Sequence, residues 1–250
     1  MLLQSLRENC KIFLQGNQQI VDVDMHAHVL PFHDNGPTTF EESVEMCEML
    51  VQLGFRKCIA TPHVMHEFYD NSEEKIKETT QILVKKLHKA NINLEIRPAA
   101  EYFVDHKFLA KLRSNKPLLT LDNDYHVLIE TTFMNEFDFL KHAIERLQTY
   151  GYQPVLAHPE KFNYLFEEDK KILILKEMGI KLQANMSSFL NSNIKSTKEN
   201  LQYLIDHKLI DFIGSNISSL ESAIDLIALK ENPNFQKTLK DGLQNQNLRF

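Results

Sequence analysis

Histidine and glutamate residues recur at the ends of apolar segments along this sequence. The metal-capable residues in such positions are His26, His28, His63, Glu101, Glu130 and His158. Imidazole nitrogen together with carboxylate oxygen suits Zn, Mn or Fe better than Mg. A glutamate that ends an apolar strand also needs a partner, because a buried charge is costly when it is left unpaired. These residue types therefore indicate a site for divalent metal.

The sequence His26-Ala27-His28 is the clearest local signal. Residues two apart on a strand point to the same face, so both imidazoles can reach one ion. Such a pair also arises by chance, and a histidine beside proline, as at His63 and His158, is often a structural turn residue. The metal hypothesis therefore depends on the joint pattern, in which five of seven predicted strands end in a metal-capable residue.

The segments that carry these residues predict strands and helices in strict alternation. The strands are predicted at Ile20–His28, Lys57–His63, Leu94–Phe103, His126–Thr132, Gln153–His158, Ile180–Ser187 and Ile210–Ser215. The helices are predicted at Glu41–Leu53, Ser72–Ala90, Lys107–Arg113, Phe137–Tyr150, Lys170–Met178, after a Ser196 cap, and at Leu220–Leu229. Seven βα units without a Pro/Gly-rich linker favour parallel pairing. We expect an α/β fold, a distorted TIM-like (β/α)7 barrel.

A barrel of this type explains why the candidate residues lie at strand ends, because such barrels build their sites at the carboxyl ends of the strands. An open, doubly wound sheet is the alternative, although no G-x-G-x-x-G follows the first strand. We expect a single domain over residues 1–250, with an N-terminal extension at 1–19 and a C-terminal helical tail at about 232–250.

Composition limits the classes of partner. A formal net charge of -6 argues against nucleic acid and against anionic membranes. No stretch approaches about 18 consecutive apolar residues, so we expect no membrane insertion. Of the three cysteines, Cys10, Cys47 and Cys58, none forms a C-x-x-C pair, which predicts reduced thiols. The first residues lack the pattern of a signal peptide, and we expect a cytoplasmic protein.

The remaining histidines are weaker candidates. Four lie in predicted helices among polar residues and are interpreted as solvated, namely His88, His106, His142 and His207. His33 and His66 lie in loops on the same rim as the metal candidates and could approach the ions. His126 opens a strand at the opposite end of the barrel, which argues against a ligand role.

In their order and spacing these residues resemble the polymerase-and-histidinol-phosphatase (PHP) superfamily, and within it the bacterial protein-tyrosine phosphatase branch that regulates capsular and exopolysaccharide synthesis. The resemblance runs from about Val21 to Asn216. The segments that carry it are DMHAHVLPFHDNG (24–36), LGFRKCIATPHVM (53–65), AAEYFVD (99–105), VLIETTF (127–133), GYQPVLAHPEKFNY (151–164) and DFIGSN (211–216). It implies a PHP-type distorted barrel that holds a cluster of metal ions, often manganese or iron.

The resemblance also implies roles for individual residues. The positions that match metal ligands are His26, His28, His63, Glu101, Glu130 and His158. Asp24 matches an acidic neighbour of the first motif. The catalytic candidates are Lys161, where the family has a phosphate-facing arginine, the ligand His63, and Asn35.

Four positions depart from the family pattern. Asn35 stands where the family has a ligand aspartate, and Asn216 and Ser218 stand where it has a ligand aspartate and a ligand histidine. Lys161 replaces the arginine. Asn216 can still offer a neutral carbonyl oxygen as a ligand. Because only two carboxylates remain among the ligands, we expect one or two ions, Mn in first place and Fe or Zn as alternatives, and not three.

The function implied is metal-dependent phosphomonoester hydrolysis by a protein-tyrosine phosphatase linked to exopolysaccharide and capsule regulation. Its expected substrate is a phosphotyrosine protein, namely the tail of a bacterial tyrosine kinase. The sequence leaves both a monomer and an oligomer open. No cysteine lies in a C-x5-R motif, which excludes the thiolate route. One alternative is a catalytically impaired protein that binds a phosphotyrosine tail or another partner. A second is a different PHP phosphomonoesterase, such as a histidinol-phosphatase type.

Overall fold

Nine short strands, all paired in parallel, form the framework of the residues that the structure describes. The structure is a computed structural model and describes residues 21–114, 116–132, 136–167, 170–190 and 194–249. The strands are β1 (Val23–Ala27), β2 (Lys57–Ala60), β3 (His63–Val64), β4 (Glu95–Pro98), β5 (Glu101–Phe103), β6 (His126–Glu130), β7 (Gln153–Ala157), β8 (Lys181–Asn185) and β9 (Phe212–Gly214). They pair in the orders β1-β2-β4 and β3-β5-β6-β7-β8-β9.

Two of the predicted strands are each divided in two. The segment predicted at Lys57–His63 is interrupted between β2 and β3 at Thr61 and Pro62, and the next one is interrupted after Pro98. Proline has no N–H to donate to a ladder, which accounts for a break at such a position. The chain keeps its course across both breaks, because Ala99 N–H donates to the Ala60 carbonyl and Glu101 N–H to the Pro62 carbonyl.

The parallel sheet curls until its last strand lies beside its first. Just beyond β9, Asn216 N–H donates to the His26 carbonyl (2.7 Å), and His28 N–H donates to the Ile217 carbonyl (2.8 Å). At the other end of the same seam, the buried Asn245 amide donates to the Val23 carbonyl (3.1 Å) and the Ile213 carbonyl (2.7 Å). The fold is therefore α/β with a curled parallel sheet, as predicted at that level of detail.

Eight α-helices lie among the described residues. They are α1 (Phe40–Gln52), α2 (Glu73–Lys89), α3 (His106–Arg113), α4 (Phe137–Thr149), α5 (Lys171–Glu177), α6 (Lys195–Asp206), α7 (Leu220–Asp225) and α8 (Pro233–Lys240). The predicted Ser196 cap is wrong, because α6 begins at Lys195 and its N-cap, Ile194, offers no side-chain hydrogen bond. After α8 the tail adds only a 3₁₀ turn at Asn245–Asn247.

The side chains of β1 contribute to two clusters of the core, and the strand has a register shift between them. Between Asp24 and Ala27 the strand carries one residue more than its partner β2. Before the shift, Val23 and Met25 pack in a small cluster inside the curl with Leu128; after it, Ala27 packs in the large cluster that joins the sheet to the helices. A bulge of this kind re-aims the side chains that follow it.

The predictions for the cysteines, the N-terminal extension and membrane insertion can be compared with this fold. Cys47 and Cys58 are buried and free, and burial raises the pKa of both thiols. Cys10 and the predicted extension at 1–19 lie outside the described residues. Within the described ranges, none of the helices combines the length and the apolar character needed to cross a bilayer.

Candidate metal centre

Glu101 lies at the centre of a cluster of four histidines. Its Oε2 atom is 3.1 Å from His26 Nε2, 3.2 Å from His63 Nδ1 and 3.5 Å from His28 Nε2. Its Oε1 atom is 3.0 Å from His158 Nε2. The carboxylate is fully buried. Residues that are far apart in the sequence thus surround one deep anionic group.

The register of the parallel strands brings these residues together. His63 on β3 pairs with Glu101 on β5, and Phe103 of β5 pairs with Glu130 on β6. His158 follows β7 directly and has a left-handed backbone, with φ of 33°. His63 and Glu101 thus begin the short strands β3 and β5, whereas Glu130 ends β6. The register of the curled sheet nevertheless brings His63 and His158 within 3.6 Å of both carboxylates.

The second carboxylate lies nearer the mouth of the site. Glu130 Oε2 is 3.6 Å from His63 Nδ1, and Glu130 Oε1 is 3.6 Å from His158 Nε2. Burial and the negative charge of Glu101 raise the pKa of Glu130 to about 8. Burial acts on Glu101 in the same direction, but its electrostatic interactions with His26 and His63 and the His158 hydrogen bond outweigh it and hold the Glu101 pKa well below its usual range.

Two of the rings have their Nδ1 atoms occupied. His26 Nδ1 lies 2.9 Å from Gln183 Oε1, and His28 Nδ1 lies 2.7 Å from Asp34 Oδ2. Both partners are acceptors, so each Nδ1 carries the proton, and the neutral form of each ring presents the lone pair of Nε2. The two Nε2 atoms are only 3.2 Å apart. Lone pairs thus converge on each other and on the Glu101 carboxylate.

The other two rings are in the form that binds metal. Burial lowers the pKa of His63, and burial together with Lys161 lowers the pKa of His158 to about 3, so both imidazoles are neutral. His63 Nδ1 faces Glu101 but makes no hydrogen bond to any group that the structure describes. A buried polar atom without a partner calls for an explanation.

A cation satisfies this arrangement. Without one, the Nε2 atoms of His26 and His28, the Nδ1 atom of His63 and the Glu101 carboxylate repel one another in a low-dielectric interior. The surroundings of His28 favour a positive charge. Burial alone would lower the His28 pKa, but the hydrogen bond to Asp34 and the charges of Asp34 and Glu101 raise it. Two groups of residues have the spacing of metal ligands, namely His26, His28 and Glu101, and His63, Glu101 and Glu130. The donor set therefore fits divalent metal.

The other predicted site residues lie around this cluster. Asn216 follows β9 in a left-handed conformation, with φ of 51°, and its N–H bonds the His26 carbonyl. Lys161 is exposed in a 3₁₀ turn after His158, and its charge lowers the pKa of both His158 and Glu130. Asn35 is exposed in the β1–α1 loop. No observation tests the roles of these residues, which remain predictions.

The structure corrects the expectation for His33. Its Nδ1 atom lies 2.9 Å from Asn71 Oδ1 and its Nε2 atom 2.9 Å from Thr79 Oγ1, so both nitrogens bind neighbouring loop and helix residues, not the cluster. His66 is exposed and pairs with Asp70. His126 opens β6 and binds Asp122, at the opposite end from the cluster.

Two aromatic residues of the β3–α2 loop have different surroundings. The Tyr69 ring is stacked on His63, with centroids 5.6 Å apart and planes 14° apart. It therefore packs against a candidate ligand, whereas Phe68 is 73% exposed.

Three further residues contribute to the site, of which sequence reasoning missed Gln183 and Gly214. Gln183 on β8 is fully buried against His26, and Asp34 binds both the His28 ring and the His63 N–H (3.0 Å). Gly214 on β9 leaves the room that His26 needs, since a Cβ there would lie 2.6 Å from the His26 Cβ. The available signal for Gln183 was a polar residue within an otherwise apolar strand. For Asp34 it was the run of polar residues immediately after His33.

Comparisons with known proteins identify the family of this chain. Residues 22–224 match the family model described as capsular polysaccharide synthesis, CpsB/CapC. The chain belongs to the CpsB/CapC family. Within it, the tyrosine-protein phosphatase YwqE of Bacillus subtilis (strain 168) is 30% identical over 200 residues, which cover 80% of this chain and 78% of YwqE.

Two solved structures have folds similar to that of this CpsB/CapC chain. A crystal structure from a study of YwqE from Bacillus subtilis and CpsB from Streptococcus pneumoniae, described as unique metal-dependent tyrosine phosphatases, aligns with a TM-score of 0.74 at 29% identity. The alignment covers 88% of this chain and 85% of that one. The lactonase Lmo2620 from Listeria monocytogenes aligns with a TM-score of 0.57 at 10% identity, over 93% and 95% of the two chains, which supports the curled α/β fold alone.

Proposed function

We propose that this CpsB/CapC protein is a metal-dependent tyrosine-protein phosphatase that hydrolyses phosphomonoesters in capsule or exopolysaccharide regulation. The observation that carries the proposal is the approach of the His26 and His28 Nε2 atoms to 3.2 Å beside the Glu101 carboxylate. A bound cation resolves this convergence of lone pairs. The family relationship then supports phosphotyrosine as the ester.

Two divalent ions suit the ligands better than three. One would be held by His26, His28 and Glu101, and the other by His63, Glu101 and Glu130, with Glu101 shared and His158 beside both glutamates. Two carboxylates offset part of the charge of two ions but leave three poorly neutralised. Imidazole and carboxylate ligands favour Mn, with Fe or Zn as alternatives. Asn216 would add a neutral oxygen at most.

Bound divalent ions would supply Lewis acidity toward the phosphoryl oxygens and toward the attacking water. The protein's own residues would orient the ester. The exposed Lys161, on the Glu130 side of the cluster, would offset negative charge on the phosphoryl group as a point charge. The His63 side chain is 17% exposed, so it reaches the open side of the centre that substrate would enter. Asn35 in its exposed loop would contact the ester or its protein.

The substrate that we propose is a phosphotyrosine in the tail of a bacterial tyrosine kinase, reached in the cytoplasm. We also propose that the curled sheet closes as a distorted (β/α)7 barrel and that the chain forms one PHP-type domain. The two hydrogen bonds between the ends of β9 and β1 support closure of the barrel. They also keep Asn216 next to the histidine pair of β1.

A second function has one observation in its favour. The β9 side of the site offers Asn216 and Ser218 where the resemblance implies charged or imidazole ligands, which would suit a protein that binds a phosphotyrosine tail without hydrolysing it. The two functions differ in turnover and not in ligand.

The test measures metal content and turnover on the same purified protein. We expect about two bound ions per chain by mass spectrometry, and hydrolysis of a phosphotyrosine peptide that rises with added manganese and stops with a chelator. Bound metal with no turnover above the chelated control would reject the phosphatase in favour of the binding protein. Faster hydrolysis of histidinol phosphate than of the peptide would instead indicate another PHP phosphomonoesterase.

A further inference from the structure

We propose that Gln183 is a positioning residue that holds the His26 imidazole in the orientation and tautomer in which Nε2 faces the metal centre. The functional value of this role rests on the proposed metal centre. The contact between Gln183 Oε1 and His26 Nδ1 is itself observed in the structure. Gln183 lies in the middle of β8, between Ala157 of β7 and Phe212 of β9, and its side chain is fully buried.

The hydrogen bonds of Gln183 fix which of its atoms faces the histidine. Its Nε2 atom donates to the Ala184 carbonyl at 2.7 Å, and a carbonyl oxygen can only accept. The other atom of the amide, Oε1, must therefore be the one that lies 2.9 Å from His26 Nδ1. Rotating the amide by half a turn would set its oxygen against the Ala184 carbonyl oxygen and lose that bond.

The fixed amide then decides the state of the ring. Because Gln183 Oε1 is an acceptor, His26 Nδ1 carries the proton and Nε2 keeps its lone pair. That lone pair points at His28 Nε2 (3.2 Å) and Glu101 Oε2 (3.1 Å). An outer hydrogen bond of this type orients a metal-binding imidazole and commonly contributes about 10- to 100-fold to metal affinity.

Packing from β9 holds the pair in place. A Cβ at Gly214 would lie 2.6 Å from the His26 Cβ and 3.0 Å from Gln183 Nε2, so glycine is what allows both side chains to occupy this layer. The arrangement also differs from that of the neighbouring ligand, since His28 is oriented by the charged Asp34. Gln183 performs the same task without adding a negative charge beneath the centre.

Gln183→Met tests the inference, because methionine has a similar length and no comparable acceptor. Long-range proton–nitrogen spectra of the metal-free protein should show His26 as the Nδ1–H tautomer in the wild type and as a mixture in the variant. Titration calorimetry with Mn²⁺ and Zn²⁺ should show an affinity about 10- to 100-fold lower. Gln153→Met is the matched control: Gln153 opens β7 far from the cluster, and its side chain donates to the Asp124 carbonyl, so this variant should leave both readouts unchanged.

An unchanged His26 tautomer, or metal affinity within about twofold of the wild type, overturns the role of Gln183. If the wild-type protein binds neither Mn²⁺ nor Zn²⁺, the proposed function is rejected. The comparison of the His26 tautomer between wild type and Gln183→Met still tests the role of Gln183. Thermal unfolding of each variant reports whether it folds. If Gln183→Met does not fold, Gln183→Glu takes its place: it keeps an acceptor for Nδ1–H, so loss of the wild-type tautomer in that variant contradicts the proposal.

Discussion

The two sides of the proposed metal centre are built in different ways. The complete side consists of His63 and Glu101, which begin β3 and β5, and of Glu130 and His158, which end β6 and follow β7. The depleted side consists of Asn35, Asn216 and Ser218, in the β1–α1 loop and after β9. On the complete side the side chains contact one another at 3.0 to 3.6 Å. On the depleted side, the contacts that position the chain are made by the backbone.

The backbone contacts explain how the depleted side keeps its shape. Asn216 N–H bonds the His26 carbonyl, and Ser218 N–H bonds Ser222 Oγ at 3.2 Å. Neither bond depends on the side chain at 216 or 218, so ligands can be exchanged there without disturbing the sheet. Glu101 cannot be exchanged in the same way, because its carboxylate contacts all four histidine rings of the cluster. Substitutions should therefore have very unequal effects on the two sides.

The largest effect is expected for Glu101→Gln, a nearly isosteric change that removes one charge from the complete side. Loss of one partner from a buried charged cluster costs about 3–5 kcal/mol, or roughly a thousandfold. We expect bound metal to fall below one ion per chain by mass spectrometry and hydrolysis of a phosphotyrosine peptide to fall by about that factor. Glu95→Gln on β4 is the control, since Glu95 is exposed and pairs only with the exposed Lys57 at 3.6 Å.

Equal losses in Glu101→Gln and Glu95→Gln would mean that the effect is one of general charge or stability. Retention of two ions by Glu101→Gln would contradict the central position of this carboxylate.

The sequence predicted the His26–His28 pair and part of the complete side for a physical reason. Alternation along a strand placed His26 and His28 on one face, and their Nε2 atoms do lie 3.2 Å apart. Parallel strands end at the same edge of a sheet, so His63 and Glu101 were expected to meet, and they are paired in register. Both inferences need only local periodicity and the direction of the strands.

Other features could not be predicted from local patterns. The extra residue in β1 changes which side chains face the inside of the curl, and periodicity does not record a register shift. The roles of Gln183 and Asp34 depend on neighbours 157 and 6 positions away in the chain, and neither residue type is distinctive alone. His33 was expected near the ions, but its preference for Asn71 and Thr79 follows from how α2 docks.

An intermediate effect is expected when ligands are restored to the depleted side. The combined change Asn35→Asp, Asn216→Asp and Ser218→His adds two carboxylates and an imidazole, which can neutralise and hold a further ion. We expect one more bound ion per chain and turnover about tenfold higher, a gain of about 1.4 kcal/mol in transition-state stabilisation. Asn35→Asp alone should change turnover less than twofold, because Asn35 is exposed. A triple variant with wild-type metal content and turnover would count against the ligand positions assigned to this side.

The smallest effect is expected for Asn216→Gly, which removes the one polar side chain of the depleted side that could still act as a ligand. Glycine tolerates the left-handed conformation of this residue (φ of 51°), so the backbone bond to the His26 carbonyl should survive. A neutral amide oxygen contributes about 1 kcal/mol at most, so metal affinity measured by calorimetry should fall by less than about fivefold. Asn216→Ala is the matched variant, because alanine is strained at this φ. We expect it to have a lower thermal midpoint of unfolding than Asn216→Gly but a similar metal affinity. If Asn216→Gly instead lost metal as completely as Glu101→Gln, the two sides of the centre would carry equal weight, and the contrast between them would fail.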